Sequence, residues 1–262
     1  MAGRERVMKC CSAQIEAVWE QPRKTLKKAE RCIQTATDGG ASLVCFPEQF
    51  ATGWDPLSGQ NIEDLNGETV TTLRALAREH SVAIIGSFRE RSAPYPRNTA
   101  VAVSSDGGIL AVYSKIHLFS PAHEDEAFTP GTAPESFTLE GVRCGIAICY
   151  DLRFPPLFRT YAKTGVHAVF VPAAWPESRA SHWELFIAAR AAENQMYVAG
   201  VNTAGTNPVD RYGGASITTN PEGTVIARAG DREELLFFEV DPSEVDALRQ
   251  RFPVGNDYKN ML

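Results

Sequence analysis

Segments with the pattern of β-strands alternate with segments of helical spacing along most of this chain. The apolar runs at residues 42–46, 82–88 and 166–171 have the length and composition of buried strands. Between the first two, residues 68–80 place apolar side chains three or four positions apart, as in an amphipathic helix. Because helices that alternate with strands pack on the faces of a sheet, this order predicts an α/β fold.

Other parts of the chain modify this simple alternation. Residues 98–113 contain two β-rich pieces around Ser105-Asp106-Gly107-Gly108, which is typical of a hairpin turn, and further β-rich pieces occupy residues 197–240. The sheets are therefore predicted to be mixed. Residues 114–140 are polar and rich in Pro, Gly and acidic residues, as in a long functional loop. No linker or repeat is evident, so we expect a single domain spanning residues 1–262.

The charge balance excludes some classes of partner. Lys and Arg number 26 against 32 Asp and Glu, a net charge of −6, whereas nucleic acids and anionic membranes are bound by basic surfaces. No apolar run is long enough to span a bilayer, and the N-terminal stretch is too short and polar for a signal-peptide core. We therefore expect a cytoplasmic protein whose partner is a small molecule.

The cysteines indicate neither a disulfide framework nor a zinc site. There are six, none in a CxxC pair, and five lie in apolar stretches where an unpaired cysteine behaves as a small hydrophobic residue. No metal ligand set is predicted.

Three reactive side chains each follow a predicted strand. Cys149 ends the strand at 142–148 and is followed by a polar turn, so that it could act as a nucleophile with the Tyr150 N–H facing the attacked atom. Glu48 follows the strand at 42–46 and could be a general base with a raised pKa. Lys115 follows the hairpin and could lower a thiol pKa or hold an oxyanion.

Taken one at a time, these residues have simpler explanations. Cys149 could be a small core residue, Glu48 a solvated loop residue and Lys115 a surface lysine. His117 offers a Cys/His pair as another possibility, but a histidine at an apolar strand end is more often a hydrogen-bonded structural residue. The combination and order of the three side chains favour the catalytic interpretation.

In that combination the chain resembles the nitrilase, or carbon–nitrogen hydrolase, superfamily nearly from end to end. The motifs that carry the resemblance are FPEQF, YSKIHLF and CGIAICYDLRFP. The resemblance implies a four-layer α-β-β-α sandwich with two mixed β-sheets, a homodimer, and a catalytic triad of Glu48, Lys115 and Cys149 that needs neither a metal nor an organic cofactor. It also implies a second glutamate seven residues before Gly131, which is Glu124, although Glu126 lies close enough to compete.

The resemblance extends to the reaction. It implies that Cys149 attacks a small amide, that Lys115 and the Tyr150 N–H stabilise the oxyanion, and that Glu48 moves the protons while an acyl-thioester forms and is hydrolysed with help from Glu124.

Two segments are similar to the omega-amidase branch, which deamidates 2-oxoglutaramate. They are YDLRF, after the nucleophile, and AAWPESRASHWELFIAARAAENQMYVAGVN. We therefore expect an ω-amide of a dicarboxylic acid, of the 2-oxoglutaramate or succinamate type, in a pocket that includes Trp175 and Phe119. Arg153 or Arg179 would bind the substrate carboxylate, and Arg153 could equally be a structural ion-pair partner. Pro156 replaces a glutamate that is frequent in related sequences.

The same triad leaves other activities open. Deaminated-glutathione amidase, N-carbamoyl amide hydrolase and nitrilase are the alternatives within the superfamily. A non-catalytic binding module that kept the fold is the alternative from a different class.

Overall fold

The computed structural model describes residues 7–259, and residues 1–6 and 260–262, which belong to the predicted single domain, lie outside this range. The described strands are β1 (Met8–Gln14), β2 (Leu43–Cys45), β3 (Ala83–Glu90), β4 (Arg97–Val103), β5 (Ile109–Ser114), β6 (Ser136–Leu139), β7 (Val142–Ile146), β8 (Ala168–Ala173), β9 (Tyr197–Asn202), β10 (Ala204–Thr206), β11 (Arg211–Gly213), β12 (Ile217–Thr219), β13 (Val225–Arg228) and β14 (Glu234–Val240). The described α-helices are α1 (Pro22–Asp38), α2 (Glu68–His80), α3 (Glu124–Ala127), α4 (Pro155–Lys163), α5 (Ala180–Asn194) and α6 (Pro242–Arg251).

Two six-stranded sheets form the centre of the molecule. The first has the order β14-β1-β2-β3-β4-β5, and the second has the order β13-β12-β9-β8-β7-β6. In the first sheet β1, β2 and β3 run parallel, and in the second β7, β8 and β9 do; the outer strands pair antiparallel. Both sheets are therefore mixed, as the hairpin signals predict.

The two faces of each strand belong to different layers of the core. In β1, Cys10 packs between the two sheets, whereas Cys11 packs outward with Leu26 and Ile33 of α1. This follows from the period of two along a strand. On the other side, α5 packs so closely on β9 that a Cβ on Gly200 would lie 2.4 Å from the Trp183 ring. The layers are thus helix, sheet, sheet and helix, and the predicted four-layer sandwich is confirmed.

Most predicted elements are present, but the loop prediction is wrong in part. The range 114–140, predicted as a continuous loop, contains the short helix α3, and its end forms β6, which pairs antiparallel with β7. The four residues of β6 do alternate polar and apolar side chains, but they end a polar stretch, and the loop prediction includes them. The small hairpin of β10 and β11 was not predicted, because its two three-residue strands contain no apolar run.

The topology brings several strand ends to one edge of the sandwich. Because β2 and β5 run in the same direction in the first sheet, Glu48 and Lys115 emerge at the same edge. Cys149 follows β7 in the second sheet, and the segment after β8 begins with Ala174. Among residues 7–259, no helix has the length and apolar character needed to cross a membrane.

Candidate active site

Glu48 lies buried between the two sheets at this edge. Pro47 precedes it and ends the extended segment that begins with β2, which directs the chain into a turn. The Glu48 Oε1 atom accepts hydrogen bonds from Asn98 Nδ2 at 2.7 Å and from Lys115 Nζ at 2.8 Å. Its Oε2 atom accepts the Ala174 N–H at 3.1 Å. The carboxylate is thus held from both sheets.

Lys115 links two buried carboxylates. Its Nζ atom donates to Glu48 Oε1 at 2.8 Å and to Glu124 Oε2 at 2.8 Å, and all three side chains are at most 1% exposed. Glu124 begins α3, and its Oε2 atom also accepts the Phe119 N–H at 2.7 Å. Glu126, the competing candidate, is exposed and pairs with His123. The geometry therefore places Glu124, and not Glu126, beside Lys115.

The electrostatics of this cluster follow from burial and from its uneven charge. Burial raises the pKa of Glu48, although the Lys115 ammonium partly opposes the shift. Burial alone would lower the pKa of Lys115, but the carboxylates of Glu124 and Glu48 outweigh it and raise the pKa above the usual lysine value. Lys115 therefore stays cationic, and Glu48 is a stronger base than an exposed glutamate.

Cys149 has a backbone conformation that is rare for residues with a side chain. Its φ is +45°, in the left-handed region, at the start of a short 3₁₀-helix formed by Cys149–Arg153. Burial raises the pKa of its thiol well above the usual cysteine value, the Glu48 carboxylate adds to this shift, and Lys115 opposes it. The resting group is a neutral thiol next to a carboxylate that can accept its proton.

Asp151 anchors the turn that carries Cys149. Its Oδ2 atom accepts the Ile148 N–H at 2.9 Å and the Tyr113 hydroxyl at 2.6 Å, and its Oδ1 atom accepts the His117 N–H at 2.9 Å. His117 Nδ1 also lies 2.8 Å from Oδ1, and its ring stacks on Phe154 with centroids 3.7 Å apart. His117 is thus hydrogen-bonded to Asp151, which joins the turn that carries Cys149 to the segment that carries Lys115.

A cavity of about 250 Å³ opens in front of Cys149 and Lys115. The other sequence-predicted site residues all line it: Tyr150, Arg153, Trp175, Phe119 and Arg179. Because Cys149 begins a helical turn, the N–H of Tyr150 belongs to the donors that such a turn leaves without an internal partner.

The two arginines of this cavity carry charges that no carboxylate neutralises within the described part of the chain. Arg153 lies over the Trp175 ring, with its Cζ atom 4.8 Å from the centroid, and Arg179 lies 5.2 Å from the Phe119 ring centroid. Burial lowers the pKa of Arg153, and the nearby Arg179 cation also contributes to the lowering. Among the described residues no carboxylate forms an ion pair with Arg153, whose guanidinium lies 3.4 Å from His182 Nδ1.

The sequence reasoning missed three residues of the site. Asn98 donates to Glu48 and, at 3.1 Å, to Glu124, so one amide serves both carboxylates. Trp54 Nε1 donates to Glu124 at 3.4 Å, and Tyr212 lines the cavity from β11. The one available signal was Asn98 itself, a polar residue near the start of β4, whose last four residues are apolar.

The arrangement can attack an electrophilic carbon and move protons around it. It supplies a thiol, a buried base and a cation that stays charged, which are the parts of a nucleophilic mechanism with oxyanion stabilisation. Of the other five thiols, Cys10, Cys11, Cys45 and Cys144 are fully buried, and burial raises their pKa values. Between residues 7 and 259, no cluster of three or more His, Cys, Asp or Glu side chains is placed to hold a metal ion.

This chain resembles known proteins over nearly its whole length. The family model described as carbon-nitrogen hydrolase matches residues 9–250. The chain is 33% identical over 251 residues to the 2-oxoglutaramate amidase of Bacillus subtilis (strain 168), covering 95% of this chain and 96% of that protein. It is also 33% identical to the Homo sapiens omega-amidase NIT2, covering 88% of this chain and 87% of that protein.

A solved structure extends the likeness to the whole fold. XC1258 from Xanthomonas campestris is described as a CN-hydrolase superfamily protein with an arsenic adduct in the active site. It matches with a TM-score of 0.92 at 26% identity, covering 98% of this chain and 99% of that one. Fold and sequence agree, and this chain belongs to the carbon-nitrogen hydrolase family.

Proposed function

We propose that this protein is a thiol-dependent amidohydrolase that cleaves a small ω-amide of a dicarboxylic acid to the acid and ammonia. The observation that carries the proposal is the buried cluster of Glu48, Lys115 and Glu124 beside the Cys149 thiol. The names of the two relatives, 2-oxoglutaramate amidase and omega-amidase, support the choice of amide.

The first half of the reaction forms an acyl-thioester. Glu48 takes the thiol proton as Cys149 attacks the amide carbon, and the oxyanion is stabilised by the Lys115 ammonium and the Tyr150 N–H. Glu48 then gives its proton to the amide nitrogen, the C–N bond breaks, and ammonia leaves. Because Lys115 is held cationic by the two carboxylates, it acts as a fixed charge and not as the proton carrier.

The second half returns the enzyme to its starting state. Glu48 takes a proton from a water molecule whose oxygen attacks the thioester carbon. The C–S bond breaks, the proton returns to the Cys149 sulfur, and the carboxylic acid leaves. In both halves Glu124 positions Lys115, since it accepts hydrogen bonds from Nζ at 2.8 and 3.1 Å.

The arginines of the cavity support an anionic substrate. Arg153 and Arg179 line the same cavity as Cys149 and pair with no carboxylate among the described residues, so a substrate carboxylate would be their partner. Trp175 and Phe119 supply the flat surfaces beneath them. An ω-amide places its carboxylate a few atoms from the scissile carbon, as this arrangement requires.

Two substrates that differ in one charged group test this assignment. Succinamate and butyramide have similar length, but butyramide has a methyl group in place of the carboxylate. We expect kcat/KM to be higher for succinamate, and Arg153→Met or Arg179→Met to lower it by about 10- to 100-fold, the value of a charge-assisted hydrogen bond, with butyramide unaffected. Equal losses for both amides would contradict the carboxylate role.

A wider panel separates the alternatives on the same triad. Ammonia release from 2-oxoglutaramate is compared with release from deaminated glutathione, an N-carbamoyl amine and an aliphatic nitrile. Preference for any of the last three would replace the ω-amide by that substrate class.

The nucleophile has its own test. Cys149→Ala should fold normally and lose turnover by a factor on the order of a thousand or more. A thiol reagent should modify Cys149 faster than the half-buried Cys32, because Cys149 lines the cavity and has the Glu48 carboxylate beside it to accept its proton. Uniformly slow modification together with retained ligand binding would favour the non-catalytic binding module.

We also propose a single domain over residues 1–262, a homodimer and a cytoplasmic location. All six cysteines are free, which is typical of a reducing compartment. Light scattering on the purified protein and cell fractionation test the last two proposals.

A further inference from the structure

A second, smaller chamber lies behind the substrate cavity. Trp54 and Tyr212 line both spaces, so these two side chains form the wall between them. The chamber has about 20 Å³ open to the centre of a water molecule, and about 10–15 Å³ is enough to hold one. Its lining extends from the buried Glu48 to the exposed Thr206, which gives it an inner and an outer end.

The two spaces face different parts of the active site. Cys149 and Lys115 line the front cavity, whereas Glu48 lines the rear chamber. An acyl group attached to Cys149 occupies the front cavity, which Glu48 does not line. The rear chamber is then the space from which a small molecule reaches the Glu48 carboxylate.

A buried hydroxyl in the wall makes no hydrogen bond to any residue that the structure describes. Tyr212 is 4% exposed, and its hydroxyl makes no hydrogen bond within the described part of the chain; the Asn207 side chain lies close by but outside hydrogen-bond geometry. Leaving such a group unsatisfied costs about 1–3 kcal/mol. The Oε2 atom of Glu48 accepts the Ala174 N–H, and once Cys149 carries an acyl group in place of its thiol proton the Glu48 carboxylate can accept another hydrogen bond. One water molecule could therefore satisfy both groups.

The outer end of the chamber is acidic. Glu16 lines it, and its carboxylate accepts the Thr206 N–H at 3.2 Å. A negative charge here repels an anionic substrate, which the arginines attract to the front cavity, but it leaves neutral water free to enter. Size and charge thus favour water over the substrate.

We propose that the rear chamber binds the water that hydrolyses the acyl-thioester, between the Tyr212 hydroxyl and Glu48. The inference rests on the proposed amidase function. In the step, the water oxygen forms a bond to the thioester carbon, Glu48 takes the water proton, the C–S bond breaks, and the proton passes to the Cys149 sulfur. Tyr212 positions the water and exchanges no proton.

The test fills the chamber without touching the reacting groups. Ala17 is half-buried and lines the chamber, so that Ala17→Leu occupies the space while Ala17→Ser, the matched control, leaves it open. With succinamate as substrate, we expect Ala17→Leu to lower kcat at least tenfold and KM in proportion. The value of kcat/KM should stay constant, because it reports the steps up to ammonia release. Intact-mass spectrometry during turnover should then detect the accumulated acyl-enzyme.

A second variant tests the hydroxyl itself. Tyr212→Phe should lower kcat in the same way but less, by about 3- to 10-fold, since one hydrogen bond is lost and the chamber stays open. In both variants, alkylation of Cys149 by iodoacetamide through the front cavity should proceed at the wild-type rate.

The outcomes separate this inference from the proposed function. Wild-type protein that releases no ammonia from any amide would refute the function. Active wild-type protein with Ala17→Leu equal to Ala17→Ser in kcat, KM and acyl-enzyme fraction would refute the chamber alone. Slower alkylation of Cys149 together with a lower kcat/KM would also refute the chamber. Those results would mean that the substitutions disturb the packing of the active site and do not act on a bound water.

Discussion

Replacing Asp151 by asparagine should destabilise the protein in a way that the hydrogen bonds of this residue predict. The fully buried carboxylate accepts from Ile148 and Tyr113 on one oxygen and from His117 on the other. Whichever way the asparagine amide turns, its NH₂ group faces a backbone N–H, that of Ile148 or that of His117. The Tyr113 hydroxyl or the His117 ring can reverse its role and accept, but the backbone N–H cannot.

The magnitude follows from this conflict. A buried unsatisfied donor costs about 1–3 kcal/mol, and loss of a hydrogen bond to a charged group adds to this cost, so that we expect Asp151→Asn to lower the free energy of unfolding by about 2–4 kcal/mol. The released turn also lets the backbone of Cys149 relax from its φ of +45°, so the rate of Cys149 alkylation should fall.

Urea unfolding of both proteins measures the first effect. The exposed Asp125, in the same chain, provides the control, and Asp125→Asn should change the stability by less than about 0.5 kcal/mol. An Asp151→Asn protein as stable as the Asp125→Asn protein would refute the reasoning, since it would mean that the four contacts to Asp151 are not the anchor of the cysteine turn.

Other predictions test the buried cluster. The acid limb of the pH profile of kcat/KM should lie above the usual pKa of glutamate, because Glu48 must be ionised and burial raises its pKa. Asn98→Ala should move that limb to still higher pH, because the Glu48 carboxylate loses a hydrogen bond. A limb at the usual pKa of glutamate would contradict this. Lys115→Met should abolish turnover and cost about 3–5 kcal/mol of stability at pH 7 in urea unfolding. Part of the lost free energy of unfolding should return on acidification, because protonation removes the uncompensated carboxylate charge. A carboxyl group whose pKa is higher in the folded than in the unfolded state stabilises the fold as the pH falls. Gly131→Ala should lower stability and activity, because its Cβ would lie 2.1 Å from the Ser114 carbonyl oxygen next to Lys115. Gly59→Ala, whose Cβ would meet no described atom within 4 Å, should change neither.

Much of the architecture could be predicted because it depends on local patterns. Apolar runs, helical spacing and the Asp-Gly turn predict most of the strands and helices that the structure contains, including α2 with its observed bounds. The short strands β6 and β10 were not predicted, since they lack the apolar run that marks the equally short β2, and each forms by hydrogen bonding to a neighbouring strand. The sequence of a strand likewise does not determine which other strands it pairs with.

The active site divides in the same way. The sequence by itself determined that Glu48, Lys115 and Cys149 each follow a strand in matching motifs, because these are facts of order along the chain. Only the tertiary structure decided that Glu124 and not Glu126 contacts Lys115, that one Asn98 amide serves two carboxylates, and that a chamber opens behind Glu48. The physical reason is that hydrogen bonds, burial and enclosed space arise between segments distant in sequence, and they exist only once both sheets have packed together.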